Sequence, residues 1–181
     1  TGKIGVALVV PGPGLYNACA ALSTAYAASS PVLLISGQVD SDAIGNNRDA
    51  LHQVHDQLEI VKPVTKWAHR VMHVEEIPET LHEAMRQLRT GRPRPVEIEI
   101  PPDILATVAD LEILEPSSVS RPAANSKDIS DAFELLLTAK RPVIYAGGGV
   151  NLADAASELT GFAELLNCPV ITTTEGRGAI P

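Results

Sequence analysis

The run Ile4-Gly5-Val6-Ala7-Leu8-Val9-Val10 has no polar interruption, the pattern of a strand buried on both faces. A Gly/Pro turn follows, then an Ala-rich stretch over residues 15–28 whose small side chains predict a helix packed closely on a neighbour. Pro31-Val32-Leu33-Leu34-Ile35-Ser36 reads as a second buried strand, so strand, glycine turn, helix and strand make a right-handed βαβ unit. Residues 37–49 are polar and turn-rich and read as a loop, with a short helix predicted over 50–58. Ile77, Leu81, Ala84, Met85 and Leu88 share one helical face, and Gly91, Pro93 and Pro95 close that helix. Val96-Glu97-Ile98-Glu99-Ile100 alternates apolar and acidic residues, which predicts a strand with one wetter face, ended by Pro101-Pro102.

Residues 105–125 are rich in proline and serine and read as a linker. Ser126 is the predicted cap of the next helix, with Ile129, Ala132, Phe133, Leu136 and Leu137 on its buried side. A strand at 142–146, the turn Gly147-Gly148-Gly149, a helix over 154–166 and a strand at 169–173 repeat the βαβ layout. The fold class expected is therefore α/β, parallel sheets flanked by helices, forming parts of two three-layer domains. Their spans are residues 1–104 and 126–181, joined by the linker.

Composition supports that layering. Hydrophobic residues make up 45% of the 181 but aromatics only 3%, so the core is aliphatic, as suits packed parallel strands. A net charge of -8 with no run of Lys or Arg excludes a nucleic-acid partner. Cys19 and Cys168 form no Cys-x-x-Cys pair and read as two buried free thiols, consistent with a reducing, cytoplasmic location. No apolar run reaches membrane-spanning length, so no membrane partner is expected. Both ends of the chain read as cuts, and such a piece is expected to expose apolar strand edges.

Candidate chemistry starts at Gly12-Pro13-Gly14-Leu15-Tyr16-Asn17. Gly12 and Gly14 permit a sharp turn and close approach of a ligand, and the following helix directs free N–H groups at the same place. Asn17 stands where a dinucleotide fingerprint needs its third glycine, so that reading fails. On these residues alone, a ligand site and a plain β-to-α turn both remain open. His55, His69, His73 and His82 lack metal-ligand spacing and read as surface residues, and no metal site is expected within the chain.

The order of motifs resembles thiamine-diphosphate-dependent enzymes of the acetolactate synthase type. Thr1-Gly2-Lys3-Ile4-Gly5-Val6 leads into Gly12–Asn17, then Pro31 to Gln38, Lys62-Pro63-Val64-Thr65-Lys66, Thr90-Gly91-Arg92-Pro93-Arg94-Pro95-Val96 and Pro101-Pro102-Asp103. Arg141 to Val150 and Cys168 to Thr174 resemble the start of that family's central domain.

The resemblance implies that Gly12, Pro13, Gly14 and Asn17 lie against the pyrimidine ring of thiamine diphosphate, with Gln53 near the active site. His52 replaces the family's usual Phe, which favours a related ligase, lyase or decarboxylase over acetolactate synthase itself. The family's ring-contacting glutamate lies upstream of the Thr-Gly-Lys segment, and the Gly-Asp-Gly motif that holds diphosphate and Mg²⁺ does not occur here. This chain alone is therefore expected to be inactive. At Gly147, Gly148 and Gly149 the resemblance leaves open either FAD, through its ADP part, or an empty structural turn. The parent is expected to be a homodimer or homotetramer acting on a 2-oxo acid or related small molecule. A non-catalytic nucleotide-binding module is the alternative.

Overall fold

In the computed structural model, which describes residues 3–116, 118–120 and 122–181, the chain divides into two compact units, Lys3–Arg121 and Pro122–Pro181. In the first, β1 (Gly5–Val9), α1 (Pro13–Ala27) and β2 (Val32–Gly37) build the anticipated βαβ unit, its strands parallel from Gly5 opposite Val32 to Val9 opposite Ser36. Pro13 lies in the first turn of α1, where a helix does not need the missing N–H. There follow α2 (Gln57–Val61), β3 (Trp67–Arg70), α3 (Ile77–Arg89), β4 (Val96–Ile100) and α4 (Pro102–Leu105). The strands form one parallel sheet in the order β1-β2-β4-β3.

Two layers of apolar residues cover the sheet. Ala84 and Leu88 of α3 pack with Leu33, Val96, Ile98 and Ile100, while Leu15 and Leu22 of α1 pack with Leu34 and Val61. Lys66 ties the end of α3 to the start of β3 by donating from Nζ to the carbonyls of Gln87 and Thr90, 2.8 and 2.6 Å away. At the sheet edge, β1 leaves Val6 and Leu8 exposed on the α3 side.

Three expectations for this unit need correction. Residues 50–56 are not helical; α2 begins only at Gln57, because Asp56 is the residue that caps it, accepting from the Leu58 and Glu59 N–H groups. The short strand β3 was not anticipated, since Trp-Ala-His-Arg carries no period-2 signal and owes its extension to pairing with Val96–Glu99. Most consequentially, β4 has no wet face. It lies between β2 and β3, and Glu97 and Glu99 are both fully buried. Their side of β4 shares a face with Leu34, Ser36 and Arg70, so the acidic half of the alternation meets protein partners instead of water.

The second unit holds α5 (Ser126–Thr138), β5 (Ile144–Ala146), α6 (Gly149–Ala153), α7 (Ala156–Leu166) and β6 (Val170–Thr172), with β5 and β6 parallel. Asn125, not Ser126, caps α5, its side chain accepting from the Lys127 N–H. The apolar stripe of α5 is not buried within the unit: Ile129, Phe133 and Leu137 are all exposed. Cys19 and Cys168 are free thiols but half-buried rather than fully buried. No helix among the described residues is long and apolar enough to cross a membrane.

Candidate functional site

β1 ends at Val9 and the chain must reverse within a few residues to start α1 at Pro13. Gly12 makes that turn at φ 56° and ψ -108°, a backbone region closed to side-chain-bearing residues. Its N–H donates to Gln57 Oε1 at 2.8 Å, and its carbonyl accepts the first helical hydrogen bond from the Tyr16 N–H at 3.0 Å. The carbonyl of His52, itself at φ 68°, occupies the space where a Cβ on Gly12 would point. At Gly14 a Cβ would come within 2.7 Å of Val10 Cγ2. Gly12 is thus required by its own chain, whereas a side chain at Gly14 would crowd only the exposed Val10 side chain.

What the turn offers outward lies one helical turn apart on the same face of α1. Pro13 and Asn17 are exposed, and the Asn17 amide makes no side-chain hydrogen bond among the described residues. No side chain caps the N-terminus of α1; Pro13 has no N–H to satisfy, and the N–H groups of Gly14 and Leu15 have no partner within the helix. Gln53 behaves differently. Its Oε1 accepts from the Ala50 N–H at 3.0 Å and its Nε2 donates to the Ala43 carbonyl at 2.8 Å, closing the loop between β2 and α2. The structure therefore brings the His52 backbone against Gly12 while the Gln53 side chain is spent on its own loop.

Beneath the turn lies a buried polar network that sequence reasoning missed. Gln57 is fully buried; its Nε2 donates to the Gly37 carbonyl at 2.7 Å and lies 3.2 Å from Ser36 Oγ and 3.3 Å from Glu99 Oε2. Ser36 Oγ donates to Glu97 Oε1, and Gln38 Nε2 donates to Glu99 Oε1 at 2.8 Å. Arg70 pairs through Nε with Glu99 and through its second nitrogen with Asp56 at 3.2 Å. A signal for this network was present: Ser36 on β2 with Gln38 just beyond its end, and Glu97 and Glu99 on β4, are two polar pairs two residues apart.

The network divides into a charged half and a neutral half. Burial alone would lower the affinity of Arg70 for its proton, but its hydrogen bonds and charge contacts with Glu99 and Asp56 outweigh that and raise its pKa. Among the described residues no cation forms an ion pair with Glu97. Burial, reinforced by the charge of Glu99 and opposed by the Ser36 hydrogen bond and Arg70, pushes its carboxyl up to about 8, so it is protonated at neutral pH. Its second oxygen, Oε2, has no hydrogen-bond partner among the described residues. Burial raises the pKa of the Cys19 thiol on α1 as well, with Glu97 adding to the effect.

Asp56 joins this site to the fold, as cap of α2 and partner of Arg70. Asp56→Ala is expected to lower stability by about 1–2 kcal/mol, and Asp56→Asn to recover most of the loss because the amide oxygen still caps. Urea denaturation of the three proteins checks this.

At the second glycine turn, between β5 and α6, a Cβ on Gly148 would come within 2.9 Å of Glu175 Cβ. Asn151 Nδ2 donates to the carbonyls of Glu175 and Arg177 at 3.0 and 3.1 Å, holding the 175–177 segment against this turn. Gly147 and Gly149 are not crowded in this way.

Comparison with known proteins places these elements. The N-terminal TPP binding domain of thiamine pyrophosphate enzymes matches residues 1–60, and the central domain of thiamine pyrophosphate enzymes matches residues 129–181. The chain belongs to the thiamine pyrophosphate enzyme family. Among its relatives, the acetolactate synthase large subunit of Buchnera aphidicola subsp. Schizaphis graminum is 41% identical over 100% of this chain and 32% of its own length. Glyoxylate carboligase of Escherichia coli O157:H7 is 43% identical over 99% of this chain and 30% of its own. The probable acetolactate synthase large subunit of Methanocaldococcus jannaschii is 39% identical over 100% and 31%. The chain thus spans about a third of the length of the curated relatives it matches. These matches give no support to the non-catalytic nucleotide-binding alternative. Within this family, the first unit carries the match to the TPP binding domain and the second the match to the central domain.

Proposed function

We propose that the parent protein is a thiamine-diphosphate-dependent carboligase similar to acetolactate synthase and glyoxylate carboligase, and that this chain receives the pyrimidine end of the cofactor at the Gly12 turn. The observation that carries the reading is the exposed pair Pro13 and Asn17 beside the uncapped start of α1. A ring-shaped ligand with hydrogen-bonding edges fits there: Pro13 gives a rigid apolar surface, and Asn17 holds an uncommitted amide. Gly12 and Gly14 shape the turn from within, so their part in cofactor binding is indirect. Gln53 is proposed to act next to this ring, reached through the contact between the His52 carbonyl and Gly12.

When bound, thiamine diphosphate supplies the carbanion centre and the electron sink of the reaction. The residues described here orient its ring and keep the turn rigid. Diphosphate and Mg²⁺ are assigned to residues beyond these, since Gly-Asp-Gly does not occur in the sequence. The substrate class that follows is a 2-oxo acid or related small molecule, and the parent is read as a cytoplasmic homodimer or homotetramer. The free thiols Cys19 and Cys168 agree with a reducing location. Gly147, Gly148 and Gly149 are read as a structural turn without FAD, because the approach of Glu175 to Gly148 and the Asn151 clamp explain its packing from within the chain.

Thiochrome fluorescence of the full-length protein tests the proposal. Stoichiometric thiamine diphosphate is expected after reconstitution with Mg²⁺, and failure to bind any would overturn it. Titration with FAD in the same assay is expected to give no saturable binding.

A further inference from the structure

We infer that Gln57 is a positioning residue for the cofactor turn, holding Gly12 through its side-chain amide; the cofactor part of this inference rests on the reading proposed above. Gln57 stands 45 residues from Gly12 in sequence, and no motif links them. It is fully buried at the first position of α2, yet its side chain reaches the amide of Gly12 on one side and the carboxyl end of β2 on the other.

The orientation of that amide is fixed by chemistry. Its oxygen faces a donor, the Gly12 N–H, and its nitrogen faces acceptors at the Gly37 carbonyl and Glu99. Turning it over would set N–H against N–H and oxygen against oxygen, so only one orientation satisfies the site. The backbone of Gln57 is held equally firmly. The preceding residue, Asp56, caps α2 and pairs with Arg70, which in turn pairs with Glu99. Gln57 is therefore anchored at both ends, and Gly12 takes its position from it.

The consequence reaches the ligand surface in one step. Gly12 is next to Pro13, and its carbonyl begins the helix that carries Asn17. With the N–H fixed by Gln57, the carbonyl by Tyr16 and the Cα face by the His52 carbonyl, the turn has a single arrangement. Without Gln57 the buried Gly12 N–H has no acceptor, and the turn must shift to find one. Such a shift moves Pro13 and Asn17 together.

The test uses the full-length protein carrying Gln57→Met, which keeps the volume and removes the hydrogen bonds, and Gln57→Glu read at pH 5, where a buried carboxyl beside Glu99 is held protonated and keeps an oxygen for the Gly12 N–H and an O–H for the Gly37 carbonyl. Hydrogen exchange without cofactor is read at the peptide containing Gly12 and at a control peptide from α3. Affinity is read separately for thiamine diphosphate and for inorganic pyrophosphate. In Gln57→Met, exchange at the Gly12 peptide is expected to rise about tenfold with α3 unchanged, and thiamine diphosphate affinity to fall about tenfold. Pyrophosphate affinity should change less than about twofold, because the diphosphate end is held elsewhere. Gln57→Glu should recover at least part of both losses.

Unchanged exchange at Gly12 in Gln57→Met overturns the inference. So does an equal weakening of both ligands, which is the mark of a general loss of structure. Should Gln57→Met not fold, Gln57→Glu decides alone: exchange at Gly12 closer to the control peptide than to an unprotected chain supports the link, and full loss of protection overturns it. If the wild-type protein binds no thiamine diphosphate, the proposed function fails while the exchange measurement still judges the tie between Gln57 and Gly12.

Discussion

Replacing Gly12 with alanine is expected to cost roughly 2–5 kcal/mol of folding stability and to abolish cofactor binding. Two costs add at this position. The backbone, at φ 56° and ψ -108°, lies outside the regions open to an alanine, and the new methyl would overlap the His52 carbonyl oxygen. Neither is relieved without the other. Rotating the backbone toward an allowed region withdraws the Gly12 N–H from Gln57, and moving His52 disturbs the loop that Gln53 closes. Urea denaturation gives the stability change, and thiochrome fluorescence of the full-length variant gives the binding change. A variant within about 0.5 kcal/mol of wild type would show that the turn relaxes freely and that its geometry is not what defines the site.

The second large effect is a dependence on pH. Glu97 titrates near 4.5 in an unfolded chain and at about 8 in the folded one. Below pH 4.5 both states carry the proton and Glu97 contributes no slope. Between 4.5 and about 8 the folded state holds one more proton than the unfolded state, so stability falls as pH rises, then levels off above 8. The decline expected from this one group is roughly 3–5 kcal/mol. Glu97→Gln removes the titration while keeping an oxygen for the Ser36 hydroxyl. Urea midpoints at pH 5 and pH 8.5 should therefore fall in the wild type and stay nearly level in the variant. Parallel curves for the two proteins would mean that Glu97 is ionised in the fold and has a partner.

How far these features were legible in the sequence differs by element. The β1-α1-β2 unit and the β5 to β6 unit were legible because apolar runs bounded by glycine and proline are local signals. So was α3, from the spacing of Ile77, Ala84, Met85 and Leu88. Glu97 and Glu99 were not, since alternation reports only that two faces differ. Whether the polar face meets water or Ser36, Gln57 and Arg70 depends on strand neighbours tens of residues away. The start of α2 was misplaced for a similar reason: residues 50–55 are composed well enough for a helix, but Gln53 ties them into a loop and Asp56 supplies the true cap. The glycine turn at 12 was visible as a turn; the identity of what fills its concave side, the carbonyl of His52, was not.

The clasp formed by Gln53 has one more consequence. Both ends of its amide are engaged, with the Ala50 N–H and the Ala43 carbonyl. Any ligand that recruits this side chain must first displace those two partners, so recognition and loosening of residues 43–53 become one event. For such a ligand the two hydrogen bonds given up in the loop subtract from its affinity, each by about 1 kcal/mol.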